Sequence, residues 1–366
     1  MKFNNILETK MKTNTNAENE FYSKDFWFSY SSLNKLLYSP SSFYNWYILN
    51  EKEESLDSHL VGGKIVHCLL LEPENFSKEF AIMPGKLPGA SNKKIVDIIY
   101  KEYAESSDTI SNDLTIYSDA IINELTYMQL HQKLVDDKDL KKEGSKTGDQ
   151  KRLSKVLTAE NIEYFKFLVN SSGKIIIDQE TYDKSNRSVE AIKSNSHISE
   201  LMALNVAKND FELLEACEEN VEVWNELFIQ TKIQDGVGFK GFIDNLVLDH
   251  ANQKIIINDL KTTSKSLADF PETVKYYKYW MQAAIYYRLA EFWNSNNVGI
   301  NVKNYKIEFN FVVIDKMNQA YAFPVKEESM KQWLVDLDVV ITQAMWHYNE
   351  HNYDLPYKFA LKQVTL

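Results

Sequence analysis

The stretch KIIINDLKTTSKS, residues 254–266, begins as a buried strand and ends in charged and hydroxyl side chains. Its three consecutive isoleucines predict a strand, because β-branched residues are enriched in sheets. Successive side chains of a strand point to opposite faces, so Asp259 and Lys261 share one face while Leu260 points into the core. An acid and a base therefore meet at the end of an apolar strand, and the surrounding segments indicate what they do there.

Two further predicted strands precede this one. The segments VEVWNELFIQTKIQ (221–234) and GFKGFIDNLVLDH (238–250) are rich in β-branched and aromatic residues, and the turn signals DG and HANQ separate the three strands. Short turns of this kind predict an antiparallel meander. A helix over 271–293, a strand over 305–315 and a helix over 327–351 are expected to follow. The predicted fold class is therefore mixed α/β, with strands and helices in one domain.

The first half of the chain is predicted to be mainly helical. A helix within 26–48 has Ser31 or Ser32 as its expected N-cap and stops before Pro40. Residues 60–71, LVGGKIVHCLLL, indicate a mostly buried helix opened by its two glycines.

The predicted organisation of the chain has three parts. They are a flexible segment at 1–25, a discontinuous domain formed by 26–89 and 171–366, and a mainly helical insertion at 90–170.

Composition limits the class of protein. The chain has 366 residues with 44% apolar and 25% charged residues, which is typical of a soluble globular protein. No apolar run is long enough to span a membrane, and the first twenty residues lack an apolar signal core, so the cytoplasm is the expected location. Cys68 and Cys217 are too few and too far apart for a disulfide framework or a four-cysteine metal site.

The net charge of −11 argues against nucleic-acid binding unless positive charge is concentrated locally. One basic stretch is visible, KDLKKEGSKTGDQKRLSK at 138–155. A run of this kind is commonly a solvated loop, and contact with DNA is the alternative.

Acidic residues also occur in the two preceding strands. Asp244 lies in KGFIDNL, one short turn before the 254–262 strand, and Glu226 lies among large apolar residues in VWNELFI. Three carboxylates on neighbouring strands are costly unless something neutralises them, and hard oxygen ligands favour Mg²⁺ or Mn²⁺. A metal held by carboxylates beside a lysine is suited to phosphodiester hydrolysis. Asp-x-Lys alone is a weak pattern, and an ion pair at a sheet edge is the structural alternative.

Three more residues complete a possible site. His67 lies in a helix whose other residues predict a buried position in the core. A lone histidine in such a helix more often has a structural role than that of a metal ligand. Gln282 and Tyr286 are four residues apart on the helix after the Asp-x-Lys strand, so they share one face. The order His, Glu, Asp, Asp-x-Lys, Gln-x-x-x-Tyr is much less expected by chance than any of its parts.

This ordered set resembles the PD-(D/E)XK nuclease superfamily and, within it, the exodeoxyribonuclease VIII (RecE-like) group of phage and prophage recombination exonucleases. The resemblance covers roughly 27–85 and 173–355, and 90–170 matches nothing we can place. The stretches that carry it are YSSLNKLLYSPSSFYNW, GGKIVHCLLLEPENFSKEF, KIIIDQETYDKSNRSVEAIKSNSHISELM, KGFIDNLVLD, NDLKTT and YWMQAAIYY. It implies a restriction-endonuclease-like core, with a central mixed sheet flanked by helices.

The resemblance also implies roles for individual residues. The implied metal ligands are His67, Asp244, Asp259, the backbone carbonyl of Leu260, and Glu226, which could instead position water. Lys261 would be the catalytic lysine, and Gln282 and Tyr286 would orient the site or contact the DNA backbone.

Members of the group degrade one strand of linear duplex DNA from a 5′ end with Mg²⁺. They are often toroidal homo-oligomers and work with a single-strand annealing protein. The sequence departs from the group at Phe242 and Ile243, where a basic residue and a proline are common, and this puts the neighbouring DNA contacts in doubt.

Alternatives remain open from the sequence. After the Asp-x-Lys strand, Thr262, Thr263, Ser264 and Lys265 could hold backbone phosphates of DNA, or could form a polar loop that caps the next helix. The chain could also be an endonuclease or another repair nuclease on the same core, or a catalytically silent module that binds DNA or protein.

Overall fold

The structure is a computed structural model that describes residues 17–51, 58–104, 111–127, 153–206, 221–234, 236–296 and 305–364. The strands are β1 (Phe26–Phe28), β2 (Phe80–Ile82), β3 (Ile175–Ile177), β4 (Val221–Gln234), β5 (Val237–Asp249), β6 (Lys254–Thr263), β7 (Lys306–Asp315) and β8 (Ala320–Pro324). The helices of the first half are α1 (Tyr30–Tyr38), α2 (Pro40–Phe43), α3 (Ser58–Leu71), α4 (Phe76–Glu79), α5 (Ala90–Ile99), α6 (Ser118–Tyr127) and α7 (Ala159–Asn170). Those of the second half are α8 (Gln179–Ser194), α9 (Ser196–Leu201), α10 (Phe270–Tyr276), α11 (Tyr279–Asn296), α12 (Glu327–Glu350) and α13 (Tyr357–Ala360).

The chain forms two compact units, one of residues 1–73 with 185–366 and one of residues 74–184. The first contains a six-stranded mixed sheet in which β5 pairs with β1, β4 and β6, and β7 pairs with β6 and β8. The meander β4–β5–β6 is antiparallel, as the sequence predicts, while β6 and β7 run parallel. The predicted mixed α/β class with a central mixed sheet flanked by helices is confirmed.

One edge of β5 changes partner partway along the strand. β1 pairs with residues 237–239 of β5, and β6 pairs with 245–249. Of the intervening residues, 240–243 pair only with β4 on the opposite edge, and Asp244 has no ladder partner in any of the described strands. The sheet is therefore interrupted at one point between β5 and β6, and Asp244 lies there.

Helices pack on both faces of the sheet around β6 and β7. On one face, α11 packs Met281, Ile285 and Leu289 into a core that also contains Ile257 of β6. On the other face, α3, α8 and α9 pack with Leu260 and its β7 neighbours. A sheet covered by helices on both sides has near-continuous apolar strands, which accounts for the isoleucine run at the start of β6.

A row of asparagines crosses four strands of the sheet. Asn225, Asn245, Asn258 and Asn310 occupy paired positions in β4, β5, β6 and β7. The amides of the last three donate to the side-chain oxygen of the asparagine before them in this order, over 2.8 Å, 2.8 Å and 3.1 Å. Asn245 and Asn258 are fully buried. Amide ladders of this kind satisfy buried polar groups and fix the register of the strands.

The same asparagine ladder anchors two helices. Its amides also donate to the carbonyls of Leu71 at the end of α3, and of Leu201 and Met202 at the end of α9. The last carbonyls of a helix have no partner within the helix, so side-chain donors satisfy them. The end of α3 is therefore tied to β4, and the end of α9 is tied to β5 and β6.

Several predicted boundaries are wrong. The N-cap of α1 is Ser29, whose hydroxyl accepts from the Ser32 backbone N–H while the Ser32 hydroxyl accepts from the Ser29 N–H. Helix α3 begins at Ser58, so the two glycines expected to open it lie inside it. The single helix expected over 271–293 is two helices, since Lys278 adopts φ +57° between α10 and α11.

The second unit has its own apolar core. Helices α5, α6 and α7 bury residues that include Ile95, Ile121 and Phe165. The strands β2 and β3 form a separate parallel pair, in which Phe80 lies opposite Ile175. Strands of three residues carry too little alternation to be recognised in a sequence.

Two other sequence features can be located only in part. Cys68 is buried and its thiol donates to the carbonyl oxygen of Glu72 over 3.6 Å, while Cys217 lies outside the described residues. Most of the basic stretch, residues 138–152, also lies outside them. Among the described residues, no helix is long and apolar enough to cross a bilayer.

Candidate metal centre

The end of β6 places an acid and a base together, as the sequence predicts. Asp259 is fully buried, and its Oδ2 lies 2.5 Å from Nζ of Lys261. Neither carboxylate oxygen of Asp259 accepts a hydrogen bond of normal geometry from any described residue. A buried carboxylate usually has several such partners, so this one keeps unused acceptor capacity.

His67 reaches the same place from α3. Its Nε2 lies 2.9 Å from the carbonyl oxygen of Leu260. A carbonyl only accepts, so Nε2 carries the proton and donates. The other nitrogen, Nδ1, then faces Glu226 Oε1 at 3.8 Å and Asp244 Oδ2 at 3.7 Å. A backbone partner that fixes the tautomer in this way is typical of metal-ligating histidines.

A glycine allows α3 to lie close enough for this contact. Gly63 is four residues before His67 and shares its helix face. A Cβ atom on Gly63 would lie 3.0 Å from Oγ1 of Thr262 in β6, whereas a Cβ on Gly62 would meet no atom within 4 Å. Gly63 is therefore the residue at which α3 comes close to β6.

The carboxylates of Glu226 and Asp244 come from the two strands before β6. The ligand atoms of His67, Glu226 and Asp244 all lie within 4.8 Å of one another. Asp244 is also fixed by the backbone, because its Oδ2 accepts from the Leu260 N–H at 2.7 Å. The Leu260 peptide thus holds Asp244 through its N–H and His67 through its carbonyl.

The strands change face at this point. Trp224 and Leu227 lie in the same apolar core, although residues three apart in a regular strand face opposite sides. Ile243 and Leu246 of β5 show the same change. Between the first two, Glu226 adopts φ +48°, a left-handed conformation that is strained for a residue other than glycine. The reversal lies where the two carboxylates enter the site.

Burial and charge act against each other on the ionisable groups. Burial raises the pKa of Asp259 to about 6, although Lys261 opposes this. Burial also raises the pKa of Asp244, against the charges of His67 and Lys261. Burial would lower the pKa of His67 and of Lys261, but the neighbouring carboxylates outweigh it and the pKa of both is raised. Negative charge is therefore in excess at the site.

Helix α11 closes the site from the other face of the sheet. Gln282 donates to the Tyr286 hydroxyl at 3.0 Å, and both side chains are buried, so the predicted shared face is observed. Burial, with Asp244 nearby, raises the pKa of Tyr286 well above its usual value. A Cβ on Gly241 of β5 would lie 2.8 Å from the Tyr286 ring, so this glycine permits the contact.

Tyr279 is a site residue that the sequence reasoning missed. Its ring centroid lies 5.0 Å from Nζ of Lys261, within cation–π range. It is the first residue of α11, three before Gln282. Its place in the sequence YWMQAAIYY was visible, but only the helix boundary after Lys278 shows that it faces the lysine.

The polar residues at the end of β6 lead into a turn. Thr262 is exposed, and the Thr263 hydroxyl accepts from the Lys265 N–H at 3.1 Å. The hydroxyl that caps the next short helix belongs to Ser266, which accepts from Ala268 N–H. Binding of DNA phosphates by Thr262, Thr263 and Lys265 stays a prediction.

The donor set fits a divalent cation. One imidazole nitrogen and two carboxylates converge, and beside them the buried Oδ1 of Asp259 has no hydrogen-bond partner within the described part of the chain. Carboxylate oxygens with one imidazole suit Mg²⁺ or Mn²⁺. In this structure the Leu260 carbonyl accepts from His67, and its implied role as a further ligand stays a prediction.

The fold and site define a mixed α/β protein with a candidate divalent-cation centre. In comparisons with known proteins, no family model and no curated protein sequence matches the chain. Among solved structures, it is similar to a crystal structure from Eubacterium rectale named "Putative exonuclease", with 10% identity, a TM-score of 0.42, and coverage of 93% of this chain and 85% of that one. Similarity at this level carries no argument about function, which must come from the site.

Proposed function

We propose that this chain is a metal-dependent nuclease that hydrolyses phosphodiester bonds of DNA, with Mg²⁺ or Mn²⁺ as its cofactor. The observation that carries the proposal is the convergence of His67, Glu226 and Asp244 within 4.8 Å beside the buried Asp259–Lys261 pair. Structural ion pairs seldom bring three carboxylates, a lysine and a histidine together at an interruption of a sheet. Clusters of this kind, with perturbed pKa values, are typical of catalytic sites.

The residues of the chain have separable roles in this proposal. His67, Glu226, Asp244 and Asp259 would hold the cation. A cation there would draw charge from the scissile phosphate and acidify an attacking water. The Lys261 ammonium, held by Asp259, donates to the phosphate or to that water and stabilises negative charge as it develops.

Gln282 and Tyr286 have positioning roles. Their mutual hydrogen bond fixes the Tyr286 hydroxyl on the side of the site that faces α11. Neither is charged at neutral pH, so they orient groups by hydrogen bonding without adding to the charge of the site.

The finer parts of the proposal concern substrate and partners. We infer a substrate of linear double-stranded DNA with a free end, digested in the 5′-to-3′ direction for recombination by single-strand annealing. Thr262, Thr263 and Lys265 would contact the DNA backbone, and a homo-oligomer working with an annealing protein in the cytoplasm would complete the system. These parts rest on the sequence resemblance, and the order of the site residues is compatible with them.

The first test compares one duplex DNA as a linear fragment and as a covalently closed circle. Each form is incubated with the full-length chain in Mg²⁺, in Mn²⁺ and in EDTA. The Lys261→Ala protein is run in parallel, together with Lys331→Ala, which changes an exposed lysine on α12. We expect loss of the linear form only, in the presence of either metal. Wild type and Lys331→Ala should be active and Lys261→Ala inactive.

Each outcome has a distinct meaning. Cutting of the closed circle would replace the exonuclease with an endonuclease on the same chemistry. Full activity of Lys261→Ala would show that the site is elsewhere. If no form is cut and Mg²⁺ leaves the melting temperature unchanged, a binding module becomes the better account.

A further inference from the structure

Beside the candidate site, three tyrosines form a row that the proposed chemistry does not use. They lie in the sequence KYYKY, residues 275–279, where α10 ends and α11 begins. Tyr276 is 76% exposed and Tyr277 is 44% exposed, whereas Tyr279 is partly buried. Large aromatic rings exposed together next to a site commonly mark a binding surface.

The three rings connect the catalytic lysine to the surface. From Lys261, the Tyr279 ring lies 5.0 Å away, and the Tyr277 ring is stacked on Tyr279 with centroids 5.6 Å apart. Tyr276 meets Tyr277 edge-on at 4.9 Å, and Nζ of Lys265 lies 5.9 Å from the Tyr276 ring. We call Tyr276, Tyr277 and Tyr279 the tyrosine track.

The backbone holds the track in place. Tyr277 is the C-cap of α10, and the left-handed Lys278 turns the chain into α11. The Tyr30 hydroxyl donates to the Tyr277 carbonyl, and Lys278 Nζ donates to Asn34 Oδ1 at 3.1 Å. Both contacts come from α1, so hydrogen bonds hold in place the segment between α10 and α11 that carries the exposed rings. A preorganised surface loses less conformational entropy when it binds a ligand.

The local charge suits an anionic ligand. Between residues 264 and 279 there are three lysines and two acids, in a chain whose net charge is −11. Lys275 pairs with Glu272, while Lys265 makes no ion pair with any described residue. Lys265 is therefore available for a phosphate at the outer end of the track.

We propose that the tyrosine track binds a single polynucleotide strand, whose bases stack on the rings and whose backbone enters the site at Lys261. This inference rests on the proposed nuclease function and specifies its substrate as a strand with unpaired bases at its end. Every base has a π-face, so stacking on tyrosine holds a strand without selecting its sequence. An exposed aromatic row with an unpaired lysine fits this ligand better than an apolar peptide, which would not need the positive charge.

The test measures binding of a fluorescein-labelled 12-nucleotide thymidylate strand by fluorescence anisotropy, in Ca²⁺ and in EDTA. Two double variants are compared with wild type. The first combines Tyr276→Ala with Tyr277→Ala, and the second combines Tyr276→Phe with Tyr277→Phe and so keeps the aromatic rings. Tyr38→Ala, which removes an 84% exposed tyrosine of α1, is the matched control. An abasic 12-mer supplies the same phosphates without bases. Melting temperatures confirm that each variant is folded.

We expect the double alanine variant to bind the thymidylate strand at least ~5-fold and up to ~100-fold more weakly than wild type. The phenylalanine variant and Tyr38→Ala should stay within about twofold of wild type, and the abasic strand should bind wild type and the alanine variant equally. Equal binding of the thymidylate strand by wild type and the alanine variant would show that the tyrosine track does not bind the strand. An equal loss for both strands would also contradict the proposal, because it would indicate phosphate contacts alone.

DNA cleavage measured on the same preparations separates the two proposals. If wild type cleaves DNA but the alanine variant binds the thymidylate strand as tightly as wild type does, the proposed role of the tyrosine track is wrong and the proposed nuclease function is retained. If wild type cleaves nothing while strand binding still depends on the tyrosines, the nuclease function fails and the strand-binding surface stands.

Discussion

The two ring nitrogens of His67 have different surroundings. Nε2 donates to the Leu260 carbonyl, and Nδ1 faces the carboxylates of Glu226 and Asp244. A proton on Nδ1 is attracted by the same carboxylates that would hold a cation, which is why the pKa of His67 is raised despite its burial. Proton and metal therefore compete for one position, as is general for histidine ligands.

Glu226 is the strained member of the cation group. Its φ of +48° lies in the left-handed region, inside a strand whose other described residues have ordinary backbones. A residue with a Cβ pays about 1–2 kcal/mol for this conformation, whereas glycine adopts it freely. The strain persists because the conformation directs the carboxylate toward His67 and Asp244.

We predict that Glu226→Gly is about 1 kcal/mol more stable than Glu226→Ala in the absence of a cation, because only alanine retains the backbone strain. Both variants should lose most of the stabilisation that Mg²⁺ or Mn²⁺ gives to wild type. Urea unfolding in EDTA and with added metal measures both quantities.

The matched control uses Gln230, an exposed residue of the same strand with an ordinary backbone. At this position the order of stability should reverse, and Gln230→Gly should be about 0.5–1 kcal/mol less stable than Gln230→Ala. If alanine is the more stable at both positions, the strain at Glu226 is absent in solution.

At the scale of the element, α3 has two adjacent glycines with different surroundings. Gly63 meets Thr262 of β6, and Gly62 faces open space. We predict that Gly62→Ala raises the free energy of unfolding by about 1 kcal/mol and leaves metal affinity unchanged, because it only improves helix propensity. Gly63→Ala should lower metal affinity about tenfold, because a displaced helix moves His67 away from Leu260. Calorimetric titration with Mn²⁺ measures the affinities.

The two glycine variants separate the effect of packing between α3 and β6 from the effect of helix propensity. Replacing Thr262 by alanine in the Gly63→Ala protein removes the crowded hydroxyl and should restore part of the lost affinity. Equal metal affinity in the two glycine variants would mean that the close approach of α3 and β6 does not position His67.

The elements also show how far a sequence can lead. The β4–β5–β6 meander and its acids were predictable, because alternation and turns are local signals. The asparagine ladder was not, although its members are the chain neighbours of the acids in Asn225–Glu226, Asp244–Asn245 and Asn258–Asp259. Its function depends on the register of four strands, which no single segment specifies.

Short or irregular features were missed for a related reason. β1 has three residues, and its importance lies in occupying the edge of β5 that β6 leaves free. The break at Lys278 has no proline or glycine to mark it. The order of the residues was enough to propose the candidate site, while the tautomer of His67 and the strain of Glu226 required the three-dimensional arrangement.

At the scale of the whole molecule, the net charge of −11 opposes binding to a polyanion. The candidate site adds to this, since within the described part of the chain its three carboxylates have two positive partners, Lys261 and His67. A divalent cation bound there would cancel the excess at the point where, in the proposed nuclease, a phosphate approaches. Binding of DNA by this chain should therefore depend on a cation even without cleavage.

We predict that Ca²⁺ at constant ionic strength tightens binding of an end-labelled linear duplex by about tenfold or more relative to EDTA, an effect of about 1.4 kcal/mol. Ca²⁺ should not support cleavage, because its looser coordination positions the attacking water poorly. In Asp244→Asn the dependence on Ca²⁺ should shrink, because one ligand charge is lost. Asp354→Asn makes the same charge change at an exposed acid and should keep the full dependence. Fluorescence anisotropy gives the affinities, and identical binding in Ca²⁺ and EDTA would show that charge at the site does not control access of DNA.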